Sequence, residues 1–411
     1  MGINRVRVKE AMDIKGISTY TELAALLGIT KNQLSLMLSD NYSPIKSRAD
    51  ELLSLLQLSP AEAIEIGQGR NGAVSGLPSA AVTDIELFAG AGGLALGLEK
   101  AGIDTIAFVE IDKFCCETLK KNRPHWNVIN SDISKIDFTQ YRHKVDIVSG
   151  GFPCQAFSYA GKKLGFNDTR GTLFHEFARC IKEADPLMFL AENVRGLVSH
   201  DGGRTFQTIL SILGEMNYDI QYKILNAAYY GVGQKRERIV IIGAKKGVNY
   251  RYPEPEASMT TLRTALRNCP ESEGQSYSKR KKEVLDLVPP GGSWVDLPND
   301  IQAAYMGKSI NSGGGKRGMA RRISWDEPCL TLTCSPSQKQ TERCHPDETR
   351  PFTVREYARI QSFPDDWEYC GGIGEKYKQI GNAVPVEMAR RIGVALKESI
   401  MDYRNEPKLD D

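Results

Sequence analysis

One cysteine stands where this chain could place a nucleophile. Cys154 follows two glycines and the buried-looking run 145–148, in the stretch Phe152-Pro153-Cys154-Gln155. Folds that alternate strands and helices place their chemistry at the carboxyl ends of strands, where this cysteine falls. A thiolate has high intrinsic nucleophilicity, and its setting can lower its pKa. An isolated cysteine is more often a small core residue, so the assignment depends on the surrounding motifs.

Two further motifs flank apolar runs that look like strands. Glu192 and Asn193 close one such run, where we expect the apolar setting to favour the protonated carboxyl and so let Glu192 act as an acid. The run 234–238, Gln-Lys-Arg-Glu-Arg, precedes another. Arg238 is placed to hold a carbonyl oxygen through a charge-assisted hydrogen bond. The alternative for Arg238 is a salt bridge at the edge of the sheet.

A glycine-rich turn provides a candidate ligand-binding loop. The apolar run 85–88 leads into the turn 89–93, Ala-Gly-Ala-Gly-Gly, and then into a helical pattern. Such glycines let a ligand approach the backbone at a helix N-terminus. Glu110 is placed to accept hydrogen bonds from two ribose hydroxyls, and Asp132 from an adenine amino group. The set predicts an adenosine-containing ligand, although the glycine pattern alone fits a nicotinamide cofactor equally well.

In this order the motifs resemble those of the bacterial type II DNA (cytosine-5)-methyltransferases, over residues 83–400. The resemblance implies an α/β, Rossmann-like S-adenosylmethionine-dependent methyltransferase fold with a smaller target-recognition domain. It implies a pocket for S-adenosyl-L-methionine formed by Phe88, Gly90, Gly92, Gly93, Glu110, Ile111, Asp132, Ile133, Asn382 and Ala383. It implies a catalytic set of Pro153, Cys154, Gln155, Glu192, Asn193, Arg236 and Arg238. Some relatives carry an aromatic residue where this chain has Ile111.

The resemblance also implies a reaction. Carbon 5 of cytosine is a poor nucleophile, but addition of the Cys154 thiolate at carbon 6 makes an enamine that can attack the methyl sulfonium. Glu192 would serve as the acid at ring nitrogen 3, and Arg238 would hold the ring carbonyl oxygen. No residue stands out as the base that removes the carbon 5 proton, and an ordered water would suffice.

Duplex DNA is the expected substrate. A cytosine inside a duplex hides both ring faces, so the target base must be flipped out. We expect the loop 156–172, with Lys162 and Arg170, to close over the flipped base and contact phosphates, although a plain surface loop would have the same composition. Thr331 and Leu332 fall where the family has a Thr-Leu pair that touches DNA near the target.

The resemblance leaves the N-terminal region unexplained. Residues 20–37 have the pattern of a helix-turn-helix, with Gly28 in the turn and a threonine at position 30 placed to cap the second helix. The recognition positions would be Lys31, Asn32 and Ser35. A small helical bundle that never touches DNA fits the same pattern. Some family members use such a domain to repress their own operon.

Composition shifts divide the chain. We expect an all-α helix-turn-helix domain at 1–68, a linker at 69–80, a catalytic domain at 81–250 completed by 375–400, a target-recognition domain at 251–352, and a C-terminal return segment at 353–411. The net charge is only +2, yet residues 231–355 hold 21 Lys and Arg against 14 Asp and Glu. A basic segment beside an acidic remainder favours a polyanion bound mainly by one part.

Other features narrow the class of protein. No apolar run approaches the roughly 18 residues of a membrane span, and the N-terminus lacks an apolar signal core. We therefore expect a cytoplasmic protein with no membrane partner. The nine cysteines include no C-x-x-C pair, and the cluster Cys329, Cys334, Cys344 and His345 matches no common zinc spacing, so no metal site is predicted.

The sequence thus predicts methylation of carbon 5 of cytosine in a specific site of double-stranded DNA, within a restriction–modification system. A cognate restriction endonuclease acting on the same site is the expected functional partner. Two alternatives stay open: a transcriptional regulator with secondary methylation activity, and a methyltransferase acting on cytosine in RNA. The enzyme part suggests a monomer, whereas a helix-turn-helix often works as a dimer.

Overall fold

The computed structural model describes residues 2–3, 8, 11–12, 15, 17, 19–30, 33–34, 46–56, 64–65, 81–153, 172–307, 310 and 318–406. Two compact units are present, Met1–Ser79 and Ala80–Asp411. Several predicted site residues lie outside the described residues, namely Lys31, Asn32, Ser35, Cys154, Gln155, Lys162 and Arg170.

The N-terminal unit contains helices α1 (Tyr20–Leu26) and α2 (Lys46–Leu56). Gly28 turns the chain after α1 with φ 62°. Thr30 and Gln33 then form a reciprocal pair: Gln33 N–H donates to Thr30 Oγ1 at 3.2 Å, and Thr30 N–H donates to Gln33 Oε1 at 2.8 Å. This is a capping box, so the predicted cap at Thr30 is confirmed.

A minimal β pairing joins the two ends of this unit. Gly2–Ile3 runs antiparallel to Ile64–Glu65, which adds two short strands to a unit predicted to be all helical. The recognition positions of the second helix are outside the described residues, so the helix-turn-helix stays a prediction.

A seven-stranded sheet forms the centre of the larger unit. Its strands are β1 Thr83–Leu87, β2 Asp104–Glu110, β3 Val128–Asn130, β4 Ile147–Gly150, β5 Met188–Val194, β6 Asp219–Asn226 and β7 Glu237–Ala244. The spatial order is β3-β2-β1-β4-β5-β7-β6. The first five strands pair in parallel, and β7 is antiparallel to both of its neighbours. The predicted α/β fold with a mostly parallel sheet is confirmed.

Helices cover both faces of this sheet. The helices of the larger unit are α3 Gly93–Lys100, α4 Lys113–Asn122, α5 Leu173–Ala184, α6 Arg204–Gly214, α7 Leu262–Ala265, α8 Lys279–Leu285, α9 Asn299–Met306, α10 Val354–Ile360, α11 Ile373–Asn382 and α12 Val386–Asn405. Helices α5 and α6 share one apolar core with the sheet, whereas α3 and α12 share another on the opposite face. Alternation of side chains along each strand produces these two cores.

The last helix packs at backbone distance against the helix that follows the glycine turn. A methyl group on Gly97 of α3 would lie 2.3 Å from Cβ of Ala389, and one on Gly393 would lie 2.8 Å from Cβ of Ala101. Only glycine allows so close an approach. The C-terminal part of the chain therefore completes the catalytic unit instead of forming a separate layer.

The segment between the sheet and α10 is loop-rich and has its own small core around Tyr277, Leu285 and Leu297. At its centre the carboxylate of Glu342 is fully buried and accepts from Lys281 Nζ and Tyr305 Oη, each at 2.6 Å. A short strand, Cys329–Leu330, runs parallel to Gln234–Lys235. This pairing joins the segment to the residues that precede β7.

Among the strands of this sheet and the helices of the larger unit, six were not predicted from the sequence: β3, β6, α7, α8, α9 and α11. Helices α7, α8 and α9 have only four to eight residues and lie in the loop-rich segment. Strand β3 has only three residues. Strand β6 lies at the edge of the sheet and is mostly exposed, so no apolar face marks it. Helix α11 contains two glycines, which weaken a helical pattern. Among the described residues, no helix has both the length and the apolar character needed to cross a membrane.

Strand β1 buries two carboxyl groups in the middle of the sheet. Ser149 Oγ and Thr105 Oγ1 each donate to Asp84 Oδ2 at 3.0 Å. Burial raises the pKa of Asp84 to about 7, against the opposing effect of these hydrogen bonds. Burial, together with the charge of Asp84, also raises the pKa of Glu86.

Asp84 therefore predicts a pH-dependent stability. Its folded-state pKa of about 7 lies above that of an unfolded aspartate, so the folded chain holds the proton longer and stability falls as the pH rises between these values. At ~1.4 kcal/mol per pKa unit, the loss in the free energy of unfolding is at most about 4 kcal/mol. The Asp84→Asn variant cannot ionise at this position. Its free energy of unfolding, measured with denaturant at about pH 5 and about pH 8, should therefore fall less than that of the wild-type protein. Equal losses in both proteins would contradict this.

Candidate active site

The chain that leads to Cys154 is fixed by a hydrogen bond from the neighbouring strand. Beyond the end of β4, Phe152 is buried, and its carbonyl oxygen accepts from Asn193 Nδ2 at 2.8 Å. Asn193 itself is 4% exposed at the end of β5. The next residue, Pro153, is exposed, so the backbone emerges from the sheet immediately before Cys154.

Glu192 lies against this same backbone. A methyl group on Gly151 would be 2.8 Å from Glu192 Oε2, so a larger residue at position 151 would collide with the carboxylate. Gly151, three residues before the cysteine in sequence, thus leaves room for the Glu192 carboxylate beside the backbone of this turn. The turn that contains Gly151 and Phe152 therefore lies against Glu192 and Asn193, as far along the chain as Pro153.

Glu192 and Arg238 form an ion pair at the carboxyl end of β5. Arg238 Nε lies 2.7 Å from Glu192 Oε1, and the two side chains are 10% and 12% exposed. The antiparallel register pairs Val240 with Glu192 and Arg238 with Val194, which puts both charged side chains on the same face. The salt bridge considered for Arg238 is therefore present, and its partner is the other catalytic candidate.

Arg236 is placed differently from Arg238. Its side chain is 2% exposed and donates to Leu332 O at 3.1 Å and to Gly381 O at 2.9 Å. Its Nε has no hydrogen-bond partner among the described residues. Burial, and next the charge of Arg238, lowers the pKa of Arg236 to about 9. This guanidinium therefore holds the segments at Leu332 and Gly381 together through their backbone carbonyls.

The glycine loop has the backbone that the sequence predicted. Gly90 and Gly92 have φ of 55° and 87°, and Phe88 adopts φ 58°, a conformation that is unfavourable for a residue other than glycine. A methyl group on Gly93 would lie 2.1 Å from Val384 O. The return segment therefore packs directly on the first turn of α3.

Glu110 closes this loop from β2. Its carboxylate accepts three backbone N–H groups: Gly90 at 2.7 Å, Ile111 at 2.8 Å and Asp112 at 2.7 Å. Next to it the side chain of Ile111 is 69% exposed. The loop thus combines a fixed carboxylate with an exposed apolar side chain.

The remaining cofactor candidates surround the same edge of the sheet. Asp132 Oδ1 accepts from Ser134 N–H at 3.0 Å and from Ser134 Oγ at 2.9 Å, and these bonds lower its pKa. Ile133 is 4% exposed, with its side chain in the sheet core. Asn382 Oδ1 accepts from Cys334 Sγ at 2.9 Å, and Ala383 is buried beside it.

The Thr-Leu pair lies beside the run 234–238. Thr331 Oγ1 donates to Lys235 O at 2.7 Å, and Leu332 N–H donates to Gln234 Oε1 at 2.9 Å. The side chain of Leu332 is 1% exposed, so in this structure it packs in the core and only Thr331 is partly exposed. No three His, Cys, Asp or Glu side chains in the described ranges are arranged to hold a metal ion.

Sequence reasoning missed four residues that build the site: Gly151, Gln234, Gln361 and Trp367. Trp367 Nε1 donates to Ala91 O in the glycine loop at 3.2 Å. Gln234 and Gln361 are buried and hydrogen-bonded to each other. Gln234 stands in the run 234–238, so the available signal there was one uncharged amide beside four charged residues.

Comparisons with known proteins agree with this geometry. A model of the C-5 cytosine-specific DNA methylase family matches residues 82–398. The type II methyltransferase M.Eco47II of Escherichia coli is 59% identical over 323 residues, which cover 76% of this chain and 78% of that protein. The type II methyltransferase M.Sau96I of Staphylococcus aureus is 50% identical over 434 aligned positions, covering 99% of this chain and 100% of that protein.

A solved structure gives the same result for the fold. A DNA modification methyltransferase encoded within an Escherichia coli prophage superposes with a TM-score of 0.57 at 26% identity, over 79% of this chain and 100% of that one. The match of the family model spans the sheet, the glycine loop, the Glu192–Arg238 pair and the return segment. This chain belongs to the C-5 cytosine-specific DNA methylase family, and M.Eco47II and M.Sau96I, to which it is similar, are type II methyltransferases.

Proposed function

We propose that this protein transfers a methyl group from S-adenosyl-L-methionine to carbon 5 of a flipped-out cytosine in one specific site of duplex DNA. The Glu192–Arg238 ion pair, 2.7 Å apart beside the anchored turn that leads to Cys154, carries the proposal. A carboxyl group and a guanidinium, suited to ring nitrogen 3 and the carbonyl oxygen on one edge of cytosine, thus lie together beside the turn that precedes the expected nucleophile.

Each residue has a defined part in the proposed reaction. The Cys154 thiolate forms a bond to carbon 6 of the ring, while Glu192 holds a proton at ring nitrogen 3 and Arg238 holds the ring carbonyl oxygen. The enamine electron pair at carbon 5 would then form the new carbon–methyl bond as the methyl–sulfonium bond breaks and S-adenosylhomocysteine leaves with the electron pair of the broken bond. Loss of the carbon 5 proton to a base expels the cysteine and restores the aromatic ring.

S-adenosylmethionine would supply the electrophilic methyl group. The residues of the glycine loop fit an adenosine-containing ligand, because Glu110 presents a fixed carboxylate and Ile111 an exposed apolar side chain at the same edge. Three N–H groups occupy three of about four acceptor positions on the Glu110 carboxylate. A ribose hydroxyl would take the remaining position or compete with the N–H of Gly90.

The DNA contacts belong to the same proposal. Lys162 and Arg170 would contact phosphates after closure over the flipped base, and Thr331 would contact DNA near the target. The N-terminal unit would bind DNA through Lys31, Asn32 and Ser35 and repress its own operon. The capping box between Thr30 and Gln33, directly after the Gly28 turn, supports this second role.

The target and the nucleophile can be tested together. Bisulfite sequencing of mixed-sequence duplex DNA after incubation with S-adenosylmethionine should show protected cytosines in one short motif with the wild-type protein. Cys154→Ala should protect none, because the ring is then not activated. Protection without a common motif would contradict site-specific methylation, and protection by Cys154→Ala would contradict the assigned nucleophile.

The ion pair gives a separate prediction. Glu192→Gln should lower kcat for methyl transfer by about 10²-fold or more, because the amide cannot serve as the acid at nitrogen 3. Glu237→Gln is the matched control: Glu237 pairs with Arg195 at 2.6 Å on a neighbouring position, and both side chains are well exposed. Incorporation of labelled methyl groups into DNA measures both variants. Equal activity in the two variants would exclude an acid role for Glu192.

A further inference from the structure

Two buried glutamines connect the loop proposed to contact DNA with the segment proposed to complete the cofactor pocket. Gln234 accepts the N–H of Leu332 on Oε1 at 2.9 Å and donates from Nε2 to Gln361 Oε1 at 3.1 Å. Gln361 in turn donates from Nε2 to Ile380 O at 2.9 Å. Both glutamine side chains are fully buried. We call this chain of amides, from Leu332 to Ile380, the amide relay.

The direction of every bond in the amide relay is determined by the backbone at its two ends. Leu332 N–H can only donate, so the oxygen of Gln234 must face it. The carbonyls of Ile380 and Ala383 can only accept, so the amino group of Gln361 must face them, at 2.9 and 3.4 Å. The two amides therefore meet with Nε2 of Gln234 donating to Oε1 of Gln361. No flip of either amide satisfies both ends.

Other contacts bring the same two segments together. Arg236 donates to Leu332 O and to Gly381 O. A methyl group on Gly381 would lie 2.5 Å from Thr333 O, so the two backbones are in direct contact. The Asn382–Cys334 hydrogen bond adds a side-chain contact between them. Residues 331–334 and 380–383 thus form one hydrogen-bonded unit.

Gln361 also fixes the start of the last helix. Its carbonyl oxygen accepts from Val386 N–H at 3.1 Å, and Ser362 Oγ accepts from Glu387 N–H at 2.9 Å. Ser362 adopts φ 62°, a conformation that costs about 1–2 kcal/mol for a residue other than glycine. The return segment is therefore held on both sides of Ala383 by two consecutive residues.

We propose that Gln234 and Gln361 are positioning residues for methyl transfer: the amide relay sets the spacing between the DNA-facing loop at Thr331 and the cofactor-facing segment at Ala383. The proposal rests on the proposed function, which assigns these two segments to DNA and to S-adenosylmethionine. Neither glutamine touches a substrate. Disruption of the relay therefore weakens the use of both substrates together, whereas loss of a direct contact would affect one.

Gln234→Glu tests the relay with a minimal change of shape. One carboxylate oxygen still accepts from Leu332, but the other faces Gln361 Oε1, which is also an acceptor. Protonation of the buried glutamate supplies an O–H donor and restores the bond, and burial raises the pKa of such a group. The KM values for S-adenosylmethionine and for DNA should both rise about tenfold at about pH 8.5 relative to wild type, and both should return toward wild type at about pH 6.

Two further variants separate positioning from loss of stability. Gln234→Met removes both hydrogen bonds without a charge, so both KM values should be raised equally at the two pH values. Asn122→Asp is the control for the same amide-to-carboxylate change, because Asn122 accepts Glu368 N–H at 2.9 Å and donates to Thr118 O at 2.8 Å, and neither bond involves residues 331–334 or 380–383. This control should change neither KM. Thermal unfolding of each variant at each pH shows whether it is folded.

The outcomes distinguish the relay from the underlying function. An inactive wild-type protein would count against the proposed function. With an active wild type, a rise in only one KM, no rise in either, or a rise in Gln234→Glu that lower pH does not reverse would overturn the relay. Unfolding of both Gln234 variants at both pH values would also overturn it, because Gln234 would then serve stability alone.

Discussion

The catalytic end of the sheet depends on burying three polar side chains that alternate along the run 234–238. Side chains two residues apart in an extended chain point to the same side, so Gln234, Arg236 and Arg238 project together. Buried polar groups of this kind must find partners, since each unpaired one costs about 1–3 kcal/mol. Gln234 pairs with Leu332 and Gln361. Arg236 pairs with Leu332 and Gly381, and Arg238 pairs with Glu192. One short extended segment therefore organises three distant parts of the chain.

As a result, the site is built from segments near the beginning and the end of the catalytic unit. Strand β1 and the glycine loop come from the beginning of the catalytic unit, while Trp367, Val384 and α12 close on them from its end. Glycines at positions 93, 97 and 393 permit backbone contact that no side chain would allow. Residues 331–334 and 380–383 both contain hydrogen-bond partners of the run 234–238. The same few side chains therefore fix the position of both segments.

Much of this arrangement could be predicted from sequence. Apolar runs bounded by glycines identified five of the seven sheet strands, and the spacing of the motifs identified Glu192, Asn193, Arg238 and the glycine loop as one functional edge. The sequence could not decide between a catalytic and a salt-bridge role for Arg238. In the structure Arg238 forms a salt bridge, and its partner is the other catalytic candidate, Glu192, because the register between β5 and β7 places the two side by side. Register is a tertiary property that a single motif does not encode.

The roles of Arg236 and the two glutamines were also beyond the sequence. The carbonyl partners of Arg236 are 96 and 145 positions away in the chain, and backbone carbonyls carry no residue-specific signal. Similarly, Leu332 was expected near DNA because of its place in a motif, yet its side chain is buried and its backbone takes part in the relay. Motif spacing identified the segments that form this edge of the sheet, and only the folded chain shows which of their side chains are exposed there and which are buried and hold the backbone.

The central claim is that Cys154 bonds to carbon 6 of the target cytosine beside the Glu192–Arg238 pair. A duplex with 5-fluorocytosine at the methylated position tests it most directly, because fluorine at carbon 5 cannot leave as a proton does, and the enzyme stays bonded to the ring. With S-adenosylmethionine present, mass spectrometry of the digested complex should find the nucleotide attached to the peptide that contains Cys154. No adduct on an active enzyme, or an adduct on another residue, would contradict the account.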